Sequence, residues 1–121
     1  MDMQILKMLK KKAGIADFSD IVSVSAAREM AMRGDLEPLY LIGLRFGGAE
    51  DLSNCVFVPV GIAAIKDQYD DVIEDLLREG RIKSYSCVPE YKGRSAIPFR
   101  LTMKASSPEG RPEFTETINI W

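Results

Sequence analysis

The longest regular pattern in the chain lies between Gly61 and Gly80. Ile62, Ile65, Tyr69, Val72, Ile73, Leu76 and Leu77 recur at helical spacing, and Lys66, Asp67, Asp70, Asp71, Glu74, Asp75 and Arg78 fill the positions between them. This predicts one long amphipathic helix over 62–79 with its charged residues towards solvent. Gly80 supplies the stop, because glycine enters the left-handed conformation that closes a helix without a Cβ clash. The period then changes from helical to two. Ile97, Phe99, Leu101, Met103 and Ala105 alternate with Pro98, Arg100, Thr102 and Lys104, as in a half-buried strand. Phe114, Ile118 and Ile120 carry a last strand, and the Ser-, Pro- and Gly-containing stretch 106–112 turns the two into a hairpin. Arg81 to Val88, with Ile82, Tyr85 and Cys87, reads as a further strand.

The first half is less regular. Asn54 to Val60 is a short apolar strand that ends at Pro59 and Gly61. Leu39 to Phe46 is a buried strand or loop leading into Gly47-Gly48, two glycines that permit positive φ and a tight turn. Asp35 to Pro38 reads as a turn, since Pro38 disfavours helix at Glu37. Ile21, Val22 and Val24 read as a short strand, with Ser25 capping a helix over 26–33 that stops at Gly34. Met1, Met3, Ile5, Leu6, Met8 and Leu9 share a stripe, with Lys7, Lys10, Lys11 and Lys12 at its C-terminal end, which suits a helix dipole. The expected architecture is a single α+β domain over 1–121. A helical segment over 1–34 precedes an α+β core over 39–121, in which one antiparallel sheet packs against the long helix and the N-terminal helices.

Composition narrows the function classes. A hydrophobic share of 46% and a charged share of 28% over 121 residues are those of an ordinary soluble globular protein. A net charge of -2 gives no long-range attraction to nucleic acid, so nucleic acid is not the expected partner. No apolar run approaches the roughly 18 residues of a membrane span, and the expected location is the cytoplasm. Cys55 and Cys87 sit in apolar runs without metal-ligand spacing and read as free thiols. The chain has no histidine, which removes Ser-His-Asp and Cys-His catalysis. Phe46 to Asp51 lacks the lysine and hydroxyl residue of a phosphate loop, and no other motif calls for a cofactor.

Tyr40-Leu41-Ile42-Gly43-Leu44-Arg45-Phe46-Gly47-Gly48, followed by Asp51 and Asn54, resembles the "G-H-L-I-G-x-x-F-G-G-x-x-D-x-x-N" signature of bacterial non-specific DNA/RNA endonucleases. The order of later parts is similar too. Val56 to Pro59 is followed by the acidic helix and Leu77 to Arg81. Then comes Pro89-Glu90-Tyr91-Lys92-Gly93-Arg94-Ser95, near a "P-x-Y-x-G-x-S" element, with Pro98 close behind. The resemblance covers roughly the last two thirds of the chain. It implies a unit of two strands and a helix in which a histidine activates water and an asparagine near the helix start holds a divalent cation. Tyr40 stands at the position of the histidine, and Ala63 and Ala64 stand where the asparagine is expected. A tyrosine with a pKa near roughly 10 is a poor base at neutral pH, and alanine offers no side-chain ligand. The expected function is therefore a degenerate, non-catalytic nuclease-like domain. It would bind a protein, possess no metal or cofactor, and operate in a bacterial toxin- or secretion-associated setting. The competing reading is an active metal-dependent nuclease with a displaced ligand set drawn from Asp35, Glu37, Glu50 and Asp51. Gly47, Gly48, Asp51 and Asn54 are expected to build the turn. Arg45, Tyr91, Arg94 and Trp121 are the candidate binding residues, of types common at interfaces. Apolar surface at both ends of the chain suggests a homodimer.

Overall fold

The computed structural model describes residues 17–121, so the helix expected over 1–12 lies outside the described residues. The fold is α+β, with helices packed on antiparallel sheets. Helix α1 (Val24–Met32) is capped by Ser23, whose Oγ accepts from the Ala26 amide at 3.0 Å. The cap thus falls two residues before Ser25, and Val24 belongs to the helix rather than to a short strand. The amides of Gly34 and Asp35 donate back to Ala31 and Met30, and the φ of 84° at Gly34 allows this closure.

Strand β1 (Leu36–Tyr40) begins where a turn was expected. It pairs antiparallel with β2 (Cys55–Pro59), Leu39 opposite Val56 and Glu37 opposite Val58. Pro38 is tolerated because β1 has a neighbour on one side only, and a proline without an N–H costs no ladder bond on a free edge. Only the first residues of 39–46 are strand. The chain then leaves the sheet and makes short 3-10 turns over Leu44–Phe46 and Leu52–Asn54.

After β2 comes helix α2 (Ile62–Arg78), and then a three-stranded meander of β3 (Ser84–Glu90), β4 (Arg100–Ser106) and β5 (Pro112–Asn119). The expected single sheet is in fact two. The two-stranded sheet is apolar on both faces, which explains why Val56-Phe57-Val58 shows no alternation. Leu39, Val56 and Val58 meet Cys87, Leu101, Met103 and Ile118 of the meander. Leu36 and Phe57 face the other way and pack with Phe18, Ala27 and Ile97. A sandwich of this kind fills its interior from both sheets, so one continuous sheet is not needed.

Helix α2 lies on the meander through Ile73 and Leu76, which pack with Ile82 and Ala105. Its buried face is rotated from the apolar stripe read in the sequence. Lys66 and Asp70 are buried, whereas Ile65 and Val72 are 42% and 45% exposed, and Leu77 is exposed too. The helix can bury the two charges because they lie one turn apart and pair with each other. Leu76→Asp should therefore unfold the domain, at a cost of several kcal/mol for an unpaired buried charge. Val72→Asp should change stability by about 0.5 kcal/mol or less. Thermal melts of the two variants check this assignment of faces. Gly80 closes α2 as expected, with φ 72° and return bonds from Gly80 and Arg81 to Leu77 and Leu76.

Candidate functional site

The segment between β1 and β2 is held by one side chain. The Asn54 carboxamide accepts from the Ile42 amide at 2.8 Å and donates to the carbonyls of Ile42 and Ala49 at 2.8 and 2.9 Å. Both sides of the amide are used, so a buried Asn54 serves as the brace of the loop. Gly47 takes the positive φ, 83°, and ends the first 3-10 turn. Gly48 does not; it is small for a different reason. A Cβ there would lie 1.9 Å from the Ile42 carbonyl oxygen and 2.7 Å from Asn54 Nδ2. Asp51 caps the second 3-10 turn, accepting from the Ser53 amide at 2.9 Å and from the Ser53 hydroxyl. These contacts hold the Asp51 carboxyl below its usual range, with the Ser53 hydroxyl the larger cause.

So braced, the loop and α2 enclose a cleft of about 330 Å³. Tyr40, Gly43 and Arg45 line one side, and Ala63, Lys66 and Asp70 the other. Lys66 Nζ donates to Asp70 Oδ2 at 2.8 Å, and both side chains are only 3% exposed. The Tyr85 hydroxyl, reaching from β3, donates to Asp70 Oδ1 at 3.0 Å. Gly43 lets the loop approach this group, since a Cβ there would be 3.2 Å from Asp70 Oδ2. A closed ion pair is thus built into the side of the cleft that also carries Ala63. A second cleft of about 240 Å³ lies beside it, lined by Arg28, Tyr40, Glu50, Asp51, Leu52 and Phe57 among others.

The acidic residues considered as displaced metal ligands go to separate tasks. Glu37 crosses from β1 to the start of α2 and accepts from the amides of Gly61 and Ala63 at 3.1 and 3.0 Å. It thus occupies donors that otherwise make a helix N-terminus attractive to anions. Asp35 pairs with Arg33 at 3.5 Å, Asp51 caps its turn, and Glu50 borders the second cleft. Among the described residues, no group of three or more His, Cys, Asp or Glu is placed to hold a metal ion.

The four candidate binding residues are placed differently from one another. Arg45 reaches over the cleft to the acidic face of α2, 2.6 Å from Asp71, 3.0 Å from Glu74 and 3.9 Å from Asp67. Hydrogen bonding to Asp71, then to Glu74, raises its pKa further above the ordinary guanidinium value. Tyr91 and Arg94 are exposed on the segment that joins β3 to β4. Trp121 folds back. Its Nε1 donates to the Ile97 carbonyl at 3.1 Å, its ring meets Phe18 edge-on at 5.9 Å, and Lys92 Nζ stands 4.4 Å from the ring centroid.

The sequence reading missed Lys66, Asp70 and Tyr85. The i,i+4 spacing of Lys66 and Asp70 was visible, but such pairs are usually solvated, and only the tertiary placement of Tyr85 distinguishes this one. Burial also pushes the Tyr85 hydroxyl above its ordinary value, helped by the Asp70 charge. Cys87 is a free thiol beneath the same helix, and burial raises it from 9.0 to about 11, partly opposed by Lys66. An unfolded chain releases that proton near pH 9, whereas the fold retains it to about 11. The folded state therefore binds more protons in between, and stability should decline as pH rises from about 9. Denaturant midpoints across pH 8 to 11 should show a shallower decline in a Cys87→Ala variant.

Among the described residues, no helix is long and apolar enough to cross a membrane. No family model, curated protein or solved structure matches this chain.

Proposed function

We propose that this chain is a non-catalytic, nuclease-like domain that acts by binding another protein. The observation that carries the reading is the composition of one cleft: Tyr40, Ala63 and the buried ammonium of Lys66 share it. The resemblance assigns a general base to the first position and a metal-holding residue to the second. A tyrosine and an alanine perform neither role, and the buried carboxylate of the cleft, Asp70, is already engaged by Lys66 and Tyr85. Further support comes from the order of β1, β2 and α2, which is the two-strands-and-helix unit that the resemblance implies. Glu37 adds to it by filling the start of α2, where a phosphate would otherwise be welcomed. A bacterial toxin- or secretion-associated setting and a cytoplasmic location belong to the same proposal.

The test is incubation of plasmid DNA and RNA with the protein and magnesium or manganese. No cleavage is expected. Metal-dependent cleavage that co-purifies with the protein and disappears in Glu50→Gln or Asp51→Asn would overturn the reading in favour of a displaced ligand set. Cleavage gained by a Tyr40→His/Ala63→Asn variant would support descent from a nuclease. The proposal extends to a symmetric pair; because Trp121 packs on its own core, the pair would form away from the C-terminal strand, and light scattering at micromolar concentration would read twice the chain mass. A single chain mass would remove the pair and leave the binding reading in place.

A further inference from the structure

Among the described residues the meander has an open side at β5. This strand ends the order β3-β4-β5, and among the described residues no backbone hydrogen bond reaches residues 112–119 except from β4. Register places Phe114, Glu116 and Ile118 opposite Ala105, Met103 and Leu101, so all three belong to the inward face of the sheet. Phe114 is partly and Ile118 fully buried there, but Glu116 is exposed, and among the described residues it has no ion-pair or hydrogen-bonding partner.

Helix α2 overhangs this edge. Its Asp70 flank touches Tyr85 on β3, whereas Tyr69, on the opposite flank, meets Phe114 of β5 edge-on at 5.9 Å. Ile65 and Val72 lie one turn before and just under one turn after Tyr69, further out on the same flank, and both are exposed. Among the described residues the result is a groove with an unpaired strand edge as one wall, an apolar shelf of Ile65 and Val72 above it, and a carboxylate without a partner at Glu116.

We propose that this groove takes an extended segment of a partner protein as an added strand of the meander. The segment's inward positions would read apolar–basic–apolar. Main-chain bonds to β5 would supply affinity, and alternate side chains would supply selectivity. The two apolar residues would cover Ile65 and Val72, and the Lys or Arg between them would meet Glu116. The β5 edge of a second copy does not fit as well. Antiparallel self-pairing of β5 with both inward faces aligned sets Glu116 against itself, against Phe114 or against Ile118, and an inward charge on an edge strand opposes such pairing. The inference rests on the protein-binding reading, and it supplies the chemistry of the partner.

The experiment is titration of the isotope-labelled full chain with the capped peptide TVTRTVT, and with TVTETVT as its charge-reversed control, followed by backbone amide shifts. The arginine peptide should move amides of residues 113–119 and bind at least about tenfold more tightly than the glutamate peptide. Glu116→Lys should reverse that preference. Ile65→Ser/Val72→Ser should weaken the arginine peptide about tenfold while leaving the melting temperature near the parent value. No movement of β5 amides at millimolar peptide, equal binding of the two peptides, or a preference that survives Glu116→Lys overturns the proposal. Two other occupants would overturn it as well. Binding seen only after removal of residues 1–16 would assign the groove to the chain's own start, and β5 shifts on dilution with a doubled mass would assign it to a second copy. The nuclease assay reads a different property, so cleavage there would sink the proposed function without altering the peptide result.

Discussion

Gly48→Ala should prevent this domain from folding normally. The added methyl would overlap the Ile42 carbonyl oxygen, a backbone atom that cannot swing away, and would press on Asn54 Nδ2. Relief requires that Asn54 give up its bonds to the Ile42 amide and carbonyl, which span β1 to β2. The expected loss is more than about 4 kcal/mol, the range reserved for changes that break a buried network. In a chain of this length that lowers the melting temperature by about 15 °C. Gly47→Ala is the informative control. Nothing crowds a Cβ at that position, and only the positive φ opposes it, so the loss should be about 1 kcal/mol. Asn54→Ala should fall between the two, because it strands several polar backbone atoms without creating a clash. Equal melting temperatures for the two glycine variants would show that conformation, and not close approach, is what Gly48 provides.

The second large effect is expected at the buried ion pair. Lys66→Met leaves Asp70 with one of its two partners and a charge without compensation. The loss should be about 3–5 kcal/mol. Asp70→Leu should do comparable harm by stranding the ammonium. The double variant Lys66→Met/Asp70→Leu should recover most of the loss, since an apolar replacement of both partners removes the desolvation penalty from each. Tyr85→Phe, which deletes one hydrogen bond to Asp70, should cost about 1 kcal/mol. Chemical denaturation of the four variants measures the cycle. Additive losses in the double variant would mean that the two side chains do not depend on each other.

Much of the architecture can be read from periodicity. The long helix, its Gly80 stop and the β4–β5 hairpin follow from apolar spacing that local rules translate directly. What escaped is informative in physical terms. Asp35 to Pro38 reads as a turn because Pro38 disfavours helix at Glu37, but a free sheet edge admits the same proline into a strand. The two-stranded sheet hid from an alternation test because both of its faces are covered. The orientation of α2 was misread at Lys66, Asp70 and Val72, because hydropathy assigns charges outward and cannot see that two of them neutralise each other under Tyr85. At the candidate site, Tyr40 and Ala63, singled out only against a resemblance, line the same cleft. The roles of Glu37 and Arg45 were not legible. Each depends on a contact more than twenty residues away in the chain, with the amides of Gly61 and Ala63 or with Asp67, Asp71 and Glu74.

Among the described residues, every strand pairs with its neighbour in sequence. Such local pairing closes short loops first, so the entropy lost in forming each strand pair is small. It also orders events during synthesis. β1, β2 and α2 are complete by Arg78, before any of the meander has been made. At that stage only the β1–β2 segment, through Gly43, lies against Lys66 and Asp70, and the side that β3 will cover is still open to water. The arrival of β3 with Tyr85 is what drives water from them, so the least forgiving desolvation in the molecule is deferred until a hydrogen-bonding partner is at hand.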